Sequence, residues 1–171
     1  MKTQSNKTFP LVLALAAPGF NLSVIHQANA DGFVSVRSMN RGRDYHTATL
    51  LPNGKVLAAG GAQSQWLTST ELYDPASNTW TLTGSLRSSV GYFHDTATLL
   101  PNGKVLIAGR NGTVTTAELY DPATGQWTRT GSPNAQPRDH AATLLPNGKV
   151  LVTGGQGFPV LSQLGDIDRT G

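Results

Sequence analysis

Leu51-Pro52-Asn53-Gly54-Lys55-Val56-Leu57 occurs three times in this chain. It returns as Leu100-Pro101-Asn102-Gly103-Lys104-Val105-Leu106 and as Leu145-Pro146-Asn147-Gly148-Lys149-Val150-Leu151. Each copy sets an Asn-Gly pair between two alternating apolar runs, the strongest short-range signal for a β-hairpin. The pair predicts a type I′ turn with φ > 0 at both Asn and Gly. The preceding Pro cannot donate to a ladder and suits a strand end. A hairpin repeated three times implies a repeat architecture.

Other motifs recur in step with it. Tyr73-Asp74-Pro75 returns as Tyr120-Asp121-Pro122, and Trp80 returns as Trp127 after the same interval. The first full unit is expected to hold four strands: Tyr45 to Leu51, Lys55 to Gly61, Thr70 to Pro75 with its turn, and Trp80 to Leu86. The second holds His94 to Leu100, Lys104 to Gly109, Ala117 to Pro122 and Trp127 to Pro133. The third supplies only His140 to Leu145 and Lys149 to Gly155, because Gln156 to Gly171 carries neither Glu-Leu-Tyr-Asp-Pro nor Trp. Phe33 to Met39 alternates like a strand and lines up with Trp80 to Leu86, so it is expected to be the last strand of a repeat whose other strands lie elsewhere. Four short antiparallel strands in a repeat of under fifty residues make one blade of a β-propeller. A β-sandwich also uses many short strands, but it has no reason to repeat His, Gly-Gly, Tyr-Asp-Pro and Trp at matched intervals.

The first thirty residues read differently. Lys2 and Lys7 precede a mostly apolar run, Phe9 to Phe20, and Ala28-Asn29-Ala30 is an A-x-A cleavage site. This is the pattern of a secretory signal peptide, and the run is short and broken by Pro18-Gly19, unlike a membrane span. Removing residues 1–30 takes away two of the 13 basic side chains and none of the 10 acidic ones, leaving a nearly neutral chain. With no Lys/Arg run or basic stripe, a nucleic-acid partner is not expected. There is no Cys, hence no disulfide, thiolate metal site or Cys nucleophile.

His-x-Ala-Thr-Leu-Leu, the Gly60-Gly61 and Gly154-Gly155 doublets, the Tyr-Asp-Pro turns, Trp80 and Trp127 together resemble kelch repeats. The variant with Leu-Pro-Asn-Gly-Lys-Val and Glu-Leu-Tyr-Asp-Pro is similar to secreted bacterial kelch proteins and to the propeller of galactose-oxidase-like proteins. The expected fold is all-β, an incomplete kelch-type β-propeller: two full four-stranded blades, a partial third and an N-terminal closing strand. The divisions read as 1–30 signal peptide, 31–43 N-terminal strand, 44–90 first blade, 91–137 second blade and 138–171 partial third blade. The second unit departs from the pattern where Gly109-Arg110 replaces the doublet. Kelch propellers usually have six or seven blades, so the resemblance implies the N-terminal part of a longer propeller, a fragment or a truncated reading frame. Further blades or self-association are then the expected partners.

Most repeated residues have structural work. The glycines Gly60, Gly61, Gly154 and Gly155 let the chain turn with φ > 0, and no helix or Lys-Ser/Thr follows them as a phosphate loop requires. Trp80 and Trp127 fill the gap between blades, with Tyr73 and Tyr120 nearby. Asp74 and Asp121 bond backbone two residues on. Glu71 and Glu118 pair with an Arg such as Arg43 or Arg138. His46, His94 and His140, one per unit, sit at the start of the innermost strand and bond between blades; rotated about an axis, they need not converge on a metal, and no cofactor is expected.

Function is then expected where the pattern breaks. The loop Ala62 to Ser69 is longer than its counterpart Asn111 to Thr116 and holds Trp66, the one Trp outside the repeat. Gln63, Gln65 and Trp66, with Arg110 and Asn111 in the second unit, form the candidate ligand-binding set: an exposed Trp beside amides can stack on a sugar or anchor a protein. The alternative is that Trp66 and Leu67 cover a local apolar patch. The leading expectation is a secreted, non-catalytic binding or scaffold module recognising protein or glycan. One alternative is a piece of a galactose-oxidase-like copper radical oxidase, whose cofactor, by the resemblance, needs a Cys cross-linked to Tyr that this chain lacks. The other is a non-functional remnant. No acid/base pair, triad or metal cluster marks an enzyme.

Overall fold

The computed structural model describes residues 35–88, 95–111, 114–131, 139–154 and 163–165. The chain divides into two units, residues 1–34 and 35–171, and all described residues belong to the second. Its described part is all-β and carries three antiparallel sheets. The first runs β1 (Thr47–Leu50), β2 (Val56–Ala59), β3 (Thr70–Asp74), β4 (Thr79–Leu82) in that order. The second repeats it with β5 (Thr96–Leu99), β6 (Val105–Asn111), β7 (Val114–Asp121), β8 (Gln126–Arg129). The third holds β9 (Ala141–Leu144), β10 (Val150–Thr153) and β11 (Gln163–Gly165). First strands sit side by side, β1 by β5 and β5 by β9. This is the incomplete kelch-type propeller expected, its sheets not closed into a ring.

Each Leu-Pro-Asn-Gly-Lys string turns identically, but not as type I′. Gly54, Gly103 and Gly148 have φ near 80°, whereas the preceding Asn does not have positive φ. Gly54 N donates to Leu51 O (2.9 Å), Leu51 N donates to Lys55 O (2.8 Å), and Lys55 N donates to Asn53 Oδ1 (3.1 Å). The turn has slid back one residue. Pro52, with its fixed φ, takes the first corner, and Gly54 takes the left-handed position of a three-residue loop. Lys55 then pairs with Asp74 across the sheet (3.2 Å), as Lys104 pairs with Asp121 (3.3 Å). Both aspartates also accept the backbone N–H two residues on, at 2.9 Å.

The blade faces are apolar on both sides, because strands between two neighbours must bury alternate residues each way. Between the first and second sheets lie Leu51, Leu57, Ala59 and Leu86 on one side and Val105, Ile107, Tyr120 and Trp127 on the other. Between the second and third lie Leu100, Leu106, Ala117 and Leu119 against Val150 and Val152. Trp127 rests on Tyr120, ring centroids 5.0 Å apart, and its indole N–H donates to Gly84 O (3.1 Å). Burying each such side chain is worth about 1.5–3 kcal/mol.

Two sequence expectations are corrected at the ends. The third sheet has a third strand. Its register pairs Val150 with Gly165 and Val152 with Gln163, as Val56 pairs with Tyr73 and Ala58 with Glu71. Gln163-Leu164-Gly165 therefore stands where the other sheets carry Glu-Leu-Tyr. At the other end, Ser35 to Met39 belongs to no strand, because no ladder partner lies beside it among the described residues; Phe33 and Val34 lie outside them. The segment nonetheless bonds to the first sheet as Thr83 to Ser88 bonds to the second. Trp80 Nε1 donates to Arg37 O (2.9 Å), the counterpart of Trp127 to Gly84. Asn40 N and Arg41 N donate to the Glu71 carboxylate (2.8 and 3.1 Å), as Arg87 N and Ser88 N donate to that of Glu118 (both 2.8 Å). The Asn40 amide donates to Trp80 O (3.0 Å), and Arg87 Nε to Trp127 O (3.3 Å).

Candidate functional site

The loop after β2 is where the first sheet leaves the repeat. Gly60 and Gly61 carry φ of 68° and 86°, and a Cβ on Gly61 would lie 2.4 Å from the Asp44 carbonyl oxygen. Only glycine admits that approach. Asp44 and Ala62 can then exchange both backbone hydrogen bonds at 2.9 Å. Ala62 bridges in turn to Trp66, Gln63 N donates to Gln65 O (3.1 Å) and Leu67 N to Gly61 O (2.8 Å). The result is a miniature hairpin with Gln63, Ser64 and Gln65 exposed at the tip, Trp66 half-buried and Leu67 buried.

Arg43 fastens the base. Nη1 donates to Gly60 O (2.8 Å) and Ser69 O (2.7 Å), and Nη2 donates to Ser69 Oγ (3.2 Å) and Glu71 Oε1 (2.8 Å). Both ion-pair side chains are fully buried. Burial pushes the Glu71 carboxyl up, but Arg43 and the Asn40 and Arg41 donors outweigh it and hold it below the ordinary value. Beside the hairpin, Tyr45 is exposed with φ of 54°. Positive φ costs a bulky residue more than glycine, and such strain gathers at ligand sites. Sequence reading passed over Tyr45, since nothing in residue type announces this conformation. Asp139, before His140, has φ of 55° at the matching place.

Arg110 and Asn111 do not share this arrangement. The ladder continues through Gly109–Thr116, Arg110–Thr115 and Asn111–Val114, so both lie on β6 rather than in a loop. Arg110 takes the place of Gly61 and lacks its backbone freedom, and the strand runs on where the first sheet turns. Gly109 also serves a close approach, since its Cβ would collide with the Asp95 carboxylate.

The registers revise the histidines. Thr47 pairs with Ala59, Thr96 with Ala108 and Ala141 with Thr153. The residues before them are His46, Asp95 and His140, so Asp95, not His94, is the second member; His94 lies outside the described residues. His140 Nε2 and Thr96 Oγ1 lie 2.9 Å apart, an inter-blade bond of the kind expected. Nδ1 of both His46 and His140 is buried without a hydrogen-bond partner. Burial lowers both imidazole pKa values; Arg43 adds to this at His46, and Asp139 opposes it at His140. Among the described residues no three His, Asp or Glu side chains come together as a metal would need, and no helix is long and apolar enough to cross a membrane. Gly154 has φ of 79°; Gly155 lies outside the described residues.

A comparison with curated proteins finds no match. The kelch motif family matches residues 45–87, the first sheet with the loop. Among solved structures, the chain is similar to a novel fungal alcohol oxidase with catalytic diversity among the AA5 family, in complex with copper: TM-score 0.59, 19% identity, 66% of this chain covered. The match covers only 27% of the oxidase chain. At that identity the likeness speaks to fold alone. The chain carries a kelch motif and folds as part of a kelch-type β-propeller.

Proposed function

We propose that this chain is an exported kelch-repeat binding module, one that takes a glycan or protein ligand on the Gln63–Trp66 hairpin. One observation carries the reading. The hairpin breaks the repeat, yet two backbone bridges and a buried Arg43 hold it rigid, so a ligand need not order it on binding. Half-buried Trp66 offers an aromatic face, and exposed Gln63 and Gln65 offer donors and acceptors to hydroxyls or peptide groups. Export rests on the Lys2–Ala30 pattern. The test is a glycan-array and proteome-array screen with the chain and with Trp66→Ala. A ligand bound by the first and weakened at least tenfold by the second supports the reading; equal binding by both overturns it.

The oxidase likeness in fold is compatible with a second reading, the N-terminal piece of a copper radical oxidase. The donor set does not fit that group: there is no Cys, and the described His, Asp and Glu residues form no ligand cluster. Copper chemistry would have to reside in further sequence. Copper uptake and radical spectroscopy on a protein extended by its further blades would test it.

A further inference from the structure

We infer that the outer face of the first sheet docks the outer face of the third sheet of a second copy, and that residues 35–39 of one copy complete the other's third sheet. The inference is independent of the hairpin reading.

Both halves of the contact are present in one chain. Ladder partners share a face, so Leu50, Val56, Tyr73 and Trp80 form a row on the first sheet facing away from the second. The matching row of the second sheet is Leu99, Val105, Tyr120 and Trp127. There Tyr120 is fully buried and Trp127 nearly so, covered by Leu51, Leu57 and Ala59 of the sheet before. In the first sheet Leu50 is 63% exposed, and Val56, Tyr73 and Trp80 are half-buried. The complementary surface is on the third sheet. Leu145 and Leu151 stand where Leu51 and Leu57 stand in the first and Leu100 and Leu106 in the second. Those four are buried, while Leu145 and Leu151 are only half-buried.

The backbone is complementary as well. Among the described residues β11 has a neighbour on one side only, β10. Arg37 to Arg41 makes the bonds of a fourth strand's end to the first sheet, and Ser35 to Met39 is in no strand. A second copy arriving on the first sheet's outer face would bring β11 to that segment. The ladder of Glu71 with Leu82 then maps onto Gln163 with Ser35, and unpaired edges are covered. The segment cannot serve its own β11 while bonded to the first sheet, because the second sheet stands between. Since the two faces differ, the contact is head-to-tail.

The chain has no Cys, so single thiols can be placed cleanly. Full-length Ser35→Cys and Gln163→Cys copies are mixed and treated with a short bis-maleimide, and cross-links are located by mass spectrometry. A 35–163 link between copies is expected, with sedimentation of the untreated chain giving at least twice the single-chain mass. Leu50→Arg, at an exposed site that leaves the fold intact, should return the mass to one chain and abolish the link. A single-chain mass for the untreated protein, a 35–35 link only, a 35–163 link within one chain of the double variant, or association indifferent to Leu50→Arg would each overturn the inference.

Discussion

Arg43 and Glu71 meet at 2.8 Å with neither side chain exposed to solvent, and between them they join three pieces of chain. Glu71 holds Asn40 and Arg41 of the N-terminal segment, while Arg43 holds Gly60 and Ser69 at the two feet of the hairpin. Removing one partner strands the other charge in the interior, which costs about 3–5 kcal/mol. Arg43→Met should therefore shift the urea midpoint of unfolding strongly downward. Glu71→Gln, which retains an acceptor, should cost less. Equal small effects from both would mean that the pair is not enclosed in solution.

Acid should weaken the fold in two steps. His140 has a folded pKa below its ordinary 6.5, so between that value and the folded one the unfolded chain binds a proton that the native chain refuses. Stability rises with pH wherever the unfolded state holds more protons, so it should fall as pH drops below about 6.5. Glu71 is also depressed. Its contribution is full above the ordinary carboxylate value and is lost as pH falls through the lower folded one. Thermal unfolding followed from pH 8 to pH 3 should show the two declines, and His140→Asn should shrink the first, to which the likewise lowered His46 also contributes, while leaving the second.

Trp80 and Trp127 hold equivalent places but unequal cover, one half-buried and the other only 3% exposed. Trp127→Ala should cost about 3–5 kcal/mol, the usual range for a large buried ring, and Trp80→Ala clearly less when the chain is kept dilute. Chemical denaturation of both variants at low concentration checks the order. At high concentration the gap should narrow if copies associate across the first sheet.

The pattern that made the propeller legible also limited what could be read. Strand order, the Tyr–Trp pairs and the Asp turns followed from repetition, since each repeated side chain meets the same neighbours in each sheet. What repetition hid was drift within the pattern. Gln163-Leu164-Gly165 takes the ladder register of Glu-Leu-Tyr while losing Glu and Tyr, so a search for those letters passes over β11. The histidine match slipped by one residue because His94 lies beside Asp95, and only the ladder register decides which begins the strand. At the hairpin, Trp66 and the glutamines stood out as departures from the repeat. The bridges that rigidify them, and the strained Tyr45 beside them, are tertiary facts with no local signature.

Gly61 offers the sharpest separation of hairpin from blade. Its φ of 86° suits glycine, and an added Cβ would press on the Asp44 carbonyl at 2.4 Å and on the His46 backbone nitrogen at 3.0 Å. Gly61→Ala should open the Asp44–Ala62 bridge and release residues 62–66, at a cost of about 1–3 kcal/mol for a strained position. The ladders of β1 with β2 and β2 with β3 do not include Gly61 and should persist. The expected result is a far-ultraviolet spectrum unchanged, a red-shifted Trp66 emission measured against a Trp66→Phe control, and new proteolytic cleavage confined to residues 62–66. If ligand recognition resides on this hairpin, affinity should fall along with the cleavage gain; cleavage without loss of binding would move recognition to another surface of the propeller.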